Sequence, residues 1–193
     1  MTKYLLHGGV DKNKKDQYFE LNADYFHEGV KGLTHAKILA VYFARKESDA
    51  EIDAMFANDK HCFQDHSPQV QMEFAKASKN PDEFRQQVQW ADVVYVIGGD
   101  SKLLLDQIKL TPDFKSLIHG KVYMGSSAGA NIAAKYFFSG TYQELIEGLG
   151  LVPIKVIPHW DVSQAEAEAK LKSTGEDLPI YKIPEYEFII LEK

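Results

Sequence analysis

A serine between two glycines is the feature of this sequence with the clearest chemical potential. The segment Gly125-Ser126-Ser127-Ala128-Gly129 follows a short apolar stretch, Val122–Met124, and precedes a run compatible with a helix. A G-x-S-x-G motif between a strand and a helix is typical of a nucleophile elbow, where a strained turn holds the serine hydroxyl out for attack. Small residues are needed on both sides because larger ones would collide with neighbouring backbone. An ordinary turn with a helix-capping serine would have the same sequence.

A serine nucleophile needs a base, and the base needs an acid to orient it. Among the seven histidines, His159 is best placed, because it follows a predicted strand and lies in a loop restricted by Pro158 and Trp160. His7 ends the first predicted strand beside Gly8-Gly9 and is a second, weaker candidate. A purely structural role for His159 stays open.

Two carboxylates compete for the role of the acid. Asp161 lies two residues after His159, and Glu185 follows Ile183-Pro184, where the chain bends. Either could also be an ordinary solvated carboxylate. Neither position predicts an α/β-hydrolase, because the acid of that fold precedes the histidine in the chain.

A pair of glycines, Gly98-Gly99, ends the clearest predicted buried strand, Asp92–Ile97. A plain turn would explain them, but their backbone amides could also bind an oxyanion. The amide of Ala128, the residue after Ser127, would then be the second donor. The sequence has no G-x-G-x-x-G fingerprint, so we predict no nicotinamide cofactor.

Strands and helices alternate along the predicted chain. This alternation predicts a three-layer α/β/α sandwich with a mostly parallel sheet. The candidate residues follow strands and would meet at the carboxyl edge of that sheet. The segment from His61 to Lys79 is ambiguous between a strand near Val70–Phe74 and a further helix. Predicted strands are Lys3–His7, Lys37–Phe43, Asp92–Ile97, Val122–Met124, Leu151–Ile157 and a closing pair, Ile180–Ile183 and Phe188–Leu191; predicted helices are Asp16–Gly29, Ser48 to about Lys60, Asn80–Trp90, Ser101–Leu110, Thr111–His119, Ala130–Lys135 and Ser163–Thr174.

Composition bounds the class of protein and its partners. A chain of 193 residues predicts one domain, residues 1–193. The net charge of −6 argues against nucleic acid as a partner, and no apolar run suggests a membrane. Cys62 is the only cysteine, which excludes an internal disulfide and a cysteine-based zinc site. We expect no metal, and a reducing cytoplasm as the compartment.

Several blocks of the sequence together resemble the dipeptidase E and cyanophycinase family of serine peptidases. They are the N-terminal strand into Gly8-Gly9, WADVVYVIGGDSKLLLDQI, GSSAGANIA, GLGLVPIKVIPHW and IPEYEFIIL. The resemblance implies a fold similar to class I glutamine amidotransferases, with serine in place of cysteine. It also implies that Ser127 is the nucleophile, His159 the base and Glu185 the acid. Gly99 or Gly98 would form the oxyanion hole with Ala128.

The chain departs from this family in its charges. Asp100 stands where the family usually has asparagine, and a carboxylate there would oppose a developing oxyanion. The dipeptidases of the family favour an N-terminal aspartate, for which arginine is the best partner. The only arginines are Arg45, which could reach the sheet edge, and Arg85, which we place on the surface. We therefore expect no marked preference for Asp-X dipeptides.

Together these patterns predict a serine hydrolase that cleaves a peptide or related amide bond in a small substrate, without a cofactor. The alternatives are an amidase on a non-peptide substrate and an amidotransferase-like binding or regulatory protein with a degenerate site. A homodimer is left open.

Overall fold

The computed structural model describes the backbone of all 193 residues and every side chain except those of Lys12, Lys15 and Asp16. Strands and helices follow one another along this chain, with short 3₁₀ turns at Lys12–Gln17 and Val162–Gln164. In order, the elements are β1 (Lys3–His7), α1 (Tyr18–Leu21), α2 (Ala23–Val30), β2 (His35–Val41), α3 (Asp49–His66), β3 (Gln71–Lys76), α4 (Pro81–Trp90), β4 (Val93–Val96), α5 (Ser101–Lys109), α6 (Phe114–Leu117), β5 (Val122–Ser126), α7 (Ala128–Ala133), β6 (Tyr136–Ser139), β7 (Glu144–Glu147), β8 (Lys155–Pro158), α8 (Ala165–Lys172), β9 (Ile180–Ile183) and β10 (Phe188–Glu192).

The main sheet has six strands in the order β10-β1-β5-β4-β2-β3. Neighbouring strands are parallel, except that β10 runs antiparallel to β1. The carboxyl ends of β1, β5 and β4 therefore lie side by side, with β5 in the middle. This order brings the loops that follow His7, Ser126 and Val96 to one edge of the sheet.

Helices cover both faces of this sheet, which confirms the predicted three-layer α/β/α sandwich. One buried cluster joins α2 and α3 to the sheet, and another joins α4, α5, α6 and α7 to its opposite face. Along β2, Ile38 and Ala40 belong to the first cluster while Leu39 and Val41 belong to the second. Burial on both faces explains why the parallel strands read as continuous apolar runs.

A second sheet, which was not predicted, has four strands in the order β7-β6-β8-β9. The antiparallel pair β6 and β7 lies between the site motif and β8 in the sequence, and Phe137 of β6 is buried in the core shared with the main sheet.

The two strands predicted at the end of the chain are present, but they do not pair with each other as predicted. Ile180–Ile183 pairs with β8, whereas β10 pairs with β1, because the chain crosses from one sheet to the other between them.

Helix boundaries agree with the sequence where capping signals are strong. Ser48 and Glu51 form the predicted capping box at the start of α3, which continues beyond the expected Lys60 to His66. Asn80 caps α4 as predicted. The helix expected over Asp16–Gly29 is instead divided at Asn22 into α1 and α2.

Candidate active site

Ser127 lies on a strained turn between β5 and α7. Its backbone has φ 49° and ψ −100°, a conformation that is unfavourable for a residue with a side chain. The two glycines of the motif allow this turn to pack closely. A Cβ at Gly125 would lie 2.6 Å from the carbonyl carbon of Gly129, and one at Gly129 would lie 2.4 Å from the carbonyl oxygen of Val96.

The structure brings Ser127, His159 and Glu185 into one hydrogen-bonded line. His159 Nε2 is 2.9 Å from Ser127 Oγ, and His159 Nδ1 is 2.9 Å from Glu185 Oε1. The side chains of His159 and Glu185 are 38% and 36% exposed, so a small molecule can reach the line from solvent.

Asp161, the other candidate acid, does not face the imidazole. One of its carboxylate oxygens accepts hydrogen bonds from the backbone N–H and the hydroxyl of Ser163, at 2.7 and 2.5 Å. Asp161 thereby caps the short turn Val162–Gln164 on the surface. Glu185, rather than Asp161, is thus the carboxylate within hydrogen-bonding distance of His159.

The loop after β1 supports both members of the His159–Glu185 pair. The Gly8 carbonyl accepts from the backbone N–H of His159 at 2.8 Å, and the Gly9 carbonyl accepts from that of Tyr186 at 2.9 Å. Gly9 has φ 103°, and a Cβ on it would lie 2.2 Å from His159 Cε1. The sequence analysis placed Gly8-Gly9 at the end of a strand and in the family resemblance but missed this packing, for which two adjacent glycines after a strand were the available signal.

Backbone strain is concentrated at the same place. Among the described residues, four non-glycine residues have positive φ, and Ser127, His159 and Tyr186 are three of them. Such conformations persist where the surrounding structure imposes them, and they cluster at functional sites.

His7, the second candidate base, lies beneath the site and faces Ser126. Its Nδ1 accepts from the Gly9 N–H at 3.0 Å and lies 3.3 Å from Ser126 Oγ. Burial, and to a smaller extent the nearby His159, lower the pKa of His7 to about 3. His7 is therefore a neutral, buried support for the loop that carries Gly9.

Backbone amides of two loops surround Ser127. A Cβ on Gly98 would lie 3.1 Å from Ser127 Cβ and 3.6 Å from its Oγ. Within the described part of the chain, neither the Gly98 nor the Gly99 amide has a hydrogen-bond acceptor. Ala128 is the first residue of α7, so its amide has no partner within the helix. Gly98 and Ala128 thus lie beside Ser127, Gly99 follows Gly98 in the same turn, and the three amides have no acceptor among the described residues.

The carboxylate of Asp100, which follows the Gly98-Gly99 turn, accepts four hydrogen bonds. It caps α5 by accepting from the amides of Lys102 and Leu103, and its Oδ2 accepts from Lys46 Nζ and the Tyr142 hydroxyl, both at 2.7 Å. Partial burial opposes ionisation, but the bonds from Lys46 and Tyr142 outweigh it and lower the pKa of Asp100 to about 2. Lys46 therefore offsets the negative charge that the sequence placed beside the glycine turn.

The two arginines occupy different environments. Arg45 Nη1 donates to the Gly98 carbonyl at 3.2 Å, and its Nη2 pairs with Glu47 at 2.7 Å. Arg85 pairs with Asp113 at 3.0 Å, away from the site. Arg45 also lines a groove of about 340 Å³ together with Ala44, Lys46, Glu47, Gly99 and Asp100.

None of the helices in the described chain has the length and apolar character needed to cross a membrane. The described side chains also contain no group of histidine, cysteine, aspartate and glutamate arranged to hold a metal ion.

Comparison with known proteins gives a consistent result. The model of peptidase family S51 matches residues 5–193. A curated Peptidase E of Streptomyces coelicolor is 37% identical over 79 aligned residues, and the match covers 36% of this chain and only 32% of that protein. The crystal structure of a Listeria monocytogenes EGD-e protein, provisionally named peptidase E, has a TM-score of 0.67 at 22% identity and covers 99% of this chain and 94% of its own. A peptidase from an acI-B1 actinobacterium has a TM-score of 0.63 at 19% identity, over 99% of this chain and 83% of its own.

An α/β fold that holds a serine on a strained turn, against a histidine and a carboxylate, is typical of serine hydrolases. Because the family model spans almost the whole sequence, the chain belongs to peptidase family S51, a family of serine peptidases. The resemblance to dipeptidase E and its relatives is thereby confirmed, and the solved structures share the fold.

Proposed function

We propose that this protein cleaves a peptide or related amide bond in a small substrate, with Ser127 as nucleophile, His159 as base and Glu185 as the orienting acid. The observation that carries the proposal is the pair of 2.9 Å distances that join the hydroxyl, the imidazole and the carboxylate.

The reaction begins with the attack of Ser127 Oγ on the scissile carbonyl carbon. His159 Nε2 takes the hydroxyl proton as the bond forms and then gives it to the leaving amine. Glu185 accepts from Nδ1–H, which keeps the other nitrogen unprotonated towards the serine and stabilises the imidazolium that forms. A water then repeats the sequence on the acyl-enzyme and releases the second product.

The charge that develops on the substrate oxygen needs donors that are already oriented. The amides of Ala128 and of the Gly98-Gly99 turn are suited to this role, because they flank Ser127 and have no acceptor among the described residues. They would bind the oxyanion with no reorganisation cost during the reaction.

The substrate would lie in the groove beside Gly99. The two cations there, Arg45 and Lys46, are already paired with Glu47 and Asp100. This pairing favours a small peptide or amide with no requirement for an acidic side chain, in keeping with the expectation from sequence.

A covalent fluorophosphonate probe tests the proposal. We expect labelling at Ser127 and its loss in Ser127→Ala, whereas Ser126→Ala should keep it because the Ser126 hydroxyl faces His7. Labelling should be accompanied by hydrolysis of dipeptides. A folded wild-type protein that neither labels nor turns over any dipeptide or simple amide would instead favour the degenerate binding protein.

A further inference from the structure

We infer that Arg45 is a positioning residue that orients the Gly98–Gly99 peptide so that the Gly99 N–H points towards Ser127. The inference deepens the proposed function and rests on it, since it assigns the oxyanion donor of the glycine turn to Gly99 rather than Gly98.

The contact that carries the inference joins neighbouring strand ends. Arg45 lies in the loop after β2, and Gly98 lies just beyond the end of β4. Arg45 Nη1 donates to the Gly98 carbonyl at 3.2 Å, while Glu47 holds Nη2 at 2.7 Å and the Tyr42 carbonyl holds the backbone N–H at 2.9 Å. Glu47 thus holds the guanidinium, and the Tyr42 carbonyl holds the backbone of Arg45, where the side chain meets the Gly98 carbonyl.

The order of the strands shows which way the Gly99 N–H points when the Gly98 carbonyl contacts Arg45. In a trans peptide the C=O and the N–H point to opposite sides. The strand β4 lies between β2 and β5, so a Gly98 carbonyl turned towards Arg45 on the β2 side leaves the Gly99 N–H turned towards β5. Ser127 stands at the end of β5.

The next peptide reinforces this orientation. The Asp100 N–H donates to the Ala44 carbonyl at 2.8 Å, so it also faces the β2 side. The Gly99 amide between these two contacts has no acceptor in the part of the chain that the structure describes. It is left available to an oxygen atom on the substrate.

Among the described residues, the Arg45 guanidinium is the one hydrogen-bond donor to the Gly98 carbonyl. Two adjacent glycines lack the side chains that restrict backbone rotation, so the Gly98–Gly99 peptide could flip and direct its carbonyl oxygen at the oxyanion. The positive charge of Arg45 also polarises the peptide, which strengthens the hydrogen bond that its N–H can donate.

The kinetic test compares Arg45→Met with Arg85→Met, its matched control at the other arginine. We expect kcat to fall about tenfold to a hundredfold in Arg45→Met, less than the loss of an entire oxyanion donor. KM should stay within about twofold, and Arg45→Lys should recover part of kcat because its ammonium can still reach a carbonyl. Arg85→Met should match the wild type.

A structural readout separates this inference from the proposed function. The direction of the Gly98 carbonyl, from a crystal structure or from the carbonyl ¹³C shift of labelled Gly98, should change in Arg45→Met and persist in Arg85→Met, whether or not the protein is an active hydrolase. An unchanged carbonyl in Arg45→Met would overturn the inference and leave the proposed function intact. If Arg45→Met fails to fold, Glu47→Gln releases one side of the guanidinium, and it should show the same change to a smaller degree; an unchanged carbonyl there would also overturn the inference.

Discussion

At the scale of single residues, the imidazole of His159 depends on one carboxylate. Glu185 accepts from its Nδ1, and an amide in that place could present its NH₂ group instead. We expect Glu185→Gln to lower kcat by about 10³- to 10⁴-fold, because a mis-oriented or wrongly protonated imidazole cannot act as base. Steady-state kinetics on a dipeptide substrate would measure the loss.

Asp161→Asn is the control for this change. Asp161 bonds to Ser163 and lies on the surface, so its loss should affect only the short turn that it caps. If Asp161→Asn abolished turnover while Glu185→Gln remained active, the assignment of the acid would be wrong.

The residues of the site differ in how far the sequence could predict them. Ser127 and its flanking glycines form a contiguous motif, because the tight turn needs small residues next to the nucleophile. The residues by themselves left the acid open between Asp161 and Glu185, because the bonds to Ser163 that turn Asp161 away depend on local loop geometry; the family resemblance favoured Glu185. The contact of Arg45 with Gly98 was missed, because it requires β2 and β4 to be neighbours.

At the scale of elements, the loop after β1 positions the imidazole of His159. Gly9 and Gly32 both have positive φ, 103° and 84°, but only at Gly9 would a Cβ meet the imidazole of His159. We expect alanine at either position to lower the free energy of unfolding by about 1–2 kcal/mol through backbone strain, and at Gly9 the contact with the imidazole should add to this loss. Only Gly9→Ala should also lower kcat, by at least about tenfold, because misplacing a catalytic group is costly.

Urea denaturation and steady-state kinetics on the two variants would provide both quantities. Equal kcat in Gly9→Ala and Gly32→Ala would show that the packing of Gly9 against His159 has no part in turnover.

Elements were predictable where their signals are local. The helix α4 begins with a capping asparagine and a proline, and β4 is a continuous run of buried apolar residues, so both were identified. The strands β6 and β7 were missed, because each has only four residues and is only partly buried, which leaves too short a pattern to recognise. The partners of β9 and β10 are chosen by distant parts of the chain, which a local pattern does not reveal.

At the scale of the whole molecule, two buried groups give opposite responses to pH. Burial raises the pKa of Asp59 to about 7, although Tyr42 and Tyr18 donate hydrogen bonds to it. Burial lowers the pKa of His7 to about 3. Between about pH 4.5 and 6, the folded chain therefore holds the Asp59 proton that the unfolded chain has lost, and lacks the His7 proton that the unfolded chain keeps.

These two contributions should nearly cancel in the wild type. Because the pKa of Asp59 is raised in the folded state, Asp59 lowers the free energy of unfolding as pH rises. Because the pKa of His7 is lowered in the folded state, His7 lowers the free energy of unfolding as pH falls. In Asp59→Asn only the His7 effect remains, so the free energy of unfolding should rise with pH across this window. In His7→Asn it should fall with pH. Each slope can reach about 1.4 kcal/mol per pH unit.

Urea denaturation of both variants at several pH values would measure these slopes. Other titrating groups are common to the two proteins, so their difference isolates Asp59 and His7. Parallel slopes in the two variants would contradict the prediction.

The crossing of the chain between the two sheets, from β9 to β10, has a consequence for how the protein reaches its working form. The loop between these strands carries Glu185, and Tyr186 in the same loop exchanges hydrogen bonds with Asp11 across 175 residues of sequence. Contacts so distant along the chain are slow to form, because the entropy of closing the loop is lost before the contact stabilises anything. Ser127 can adopt its turn as soon as β5 packs between its neighbours, whereas its acid arrives only with this last closure. In a newly folding chain, we therefore expect the turn at Ser127 to form before the carboxylate of Glu185 reaches His159.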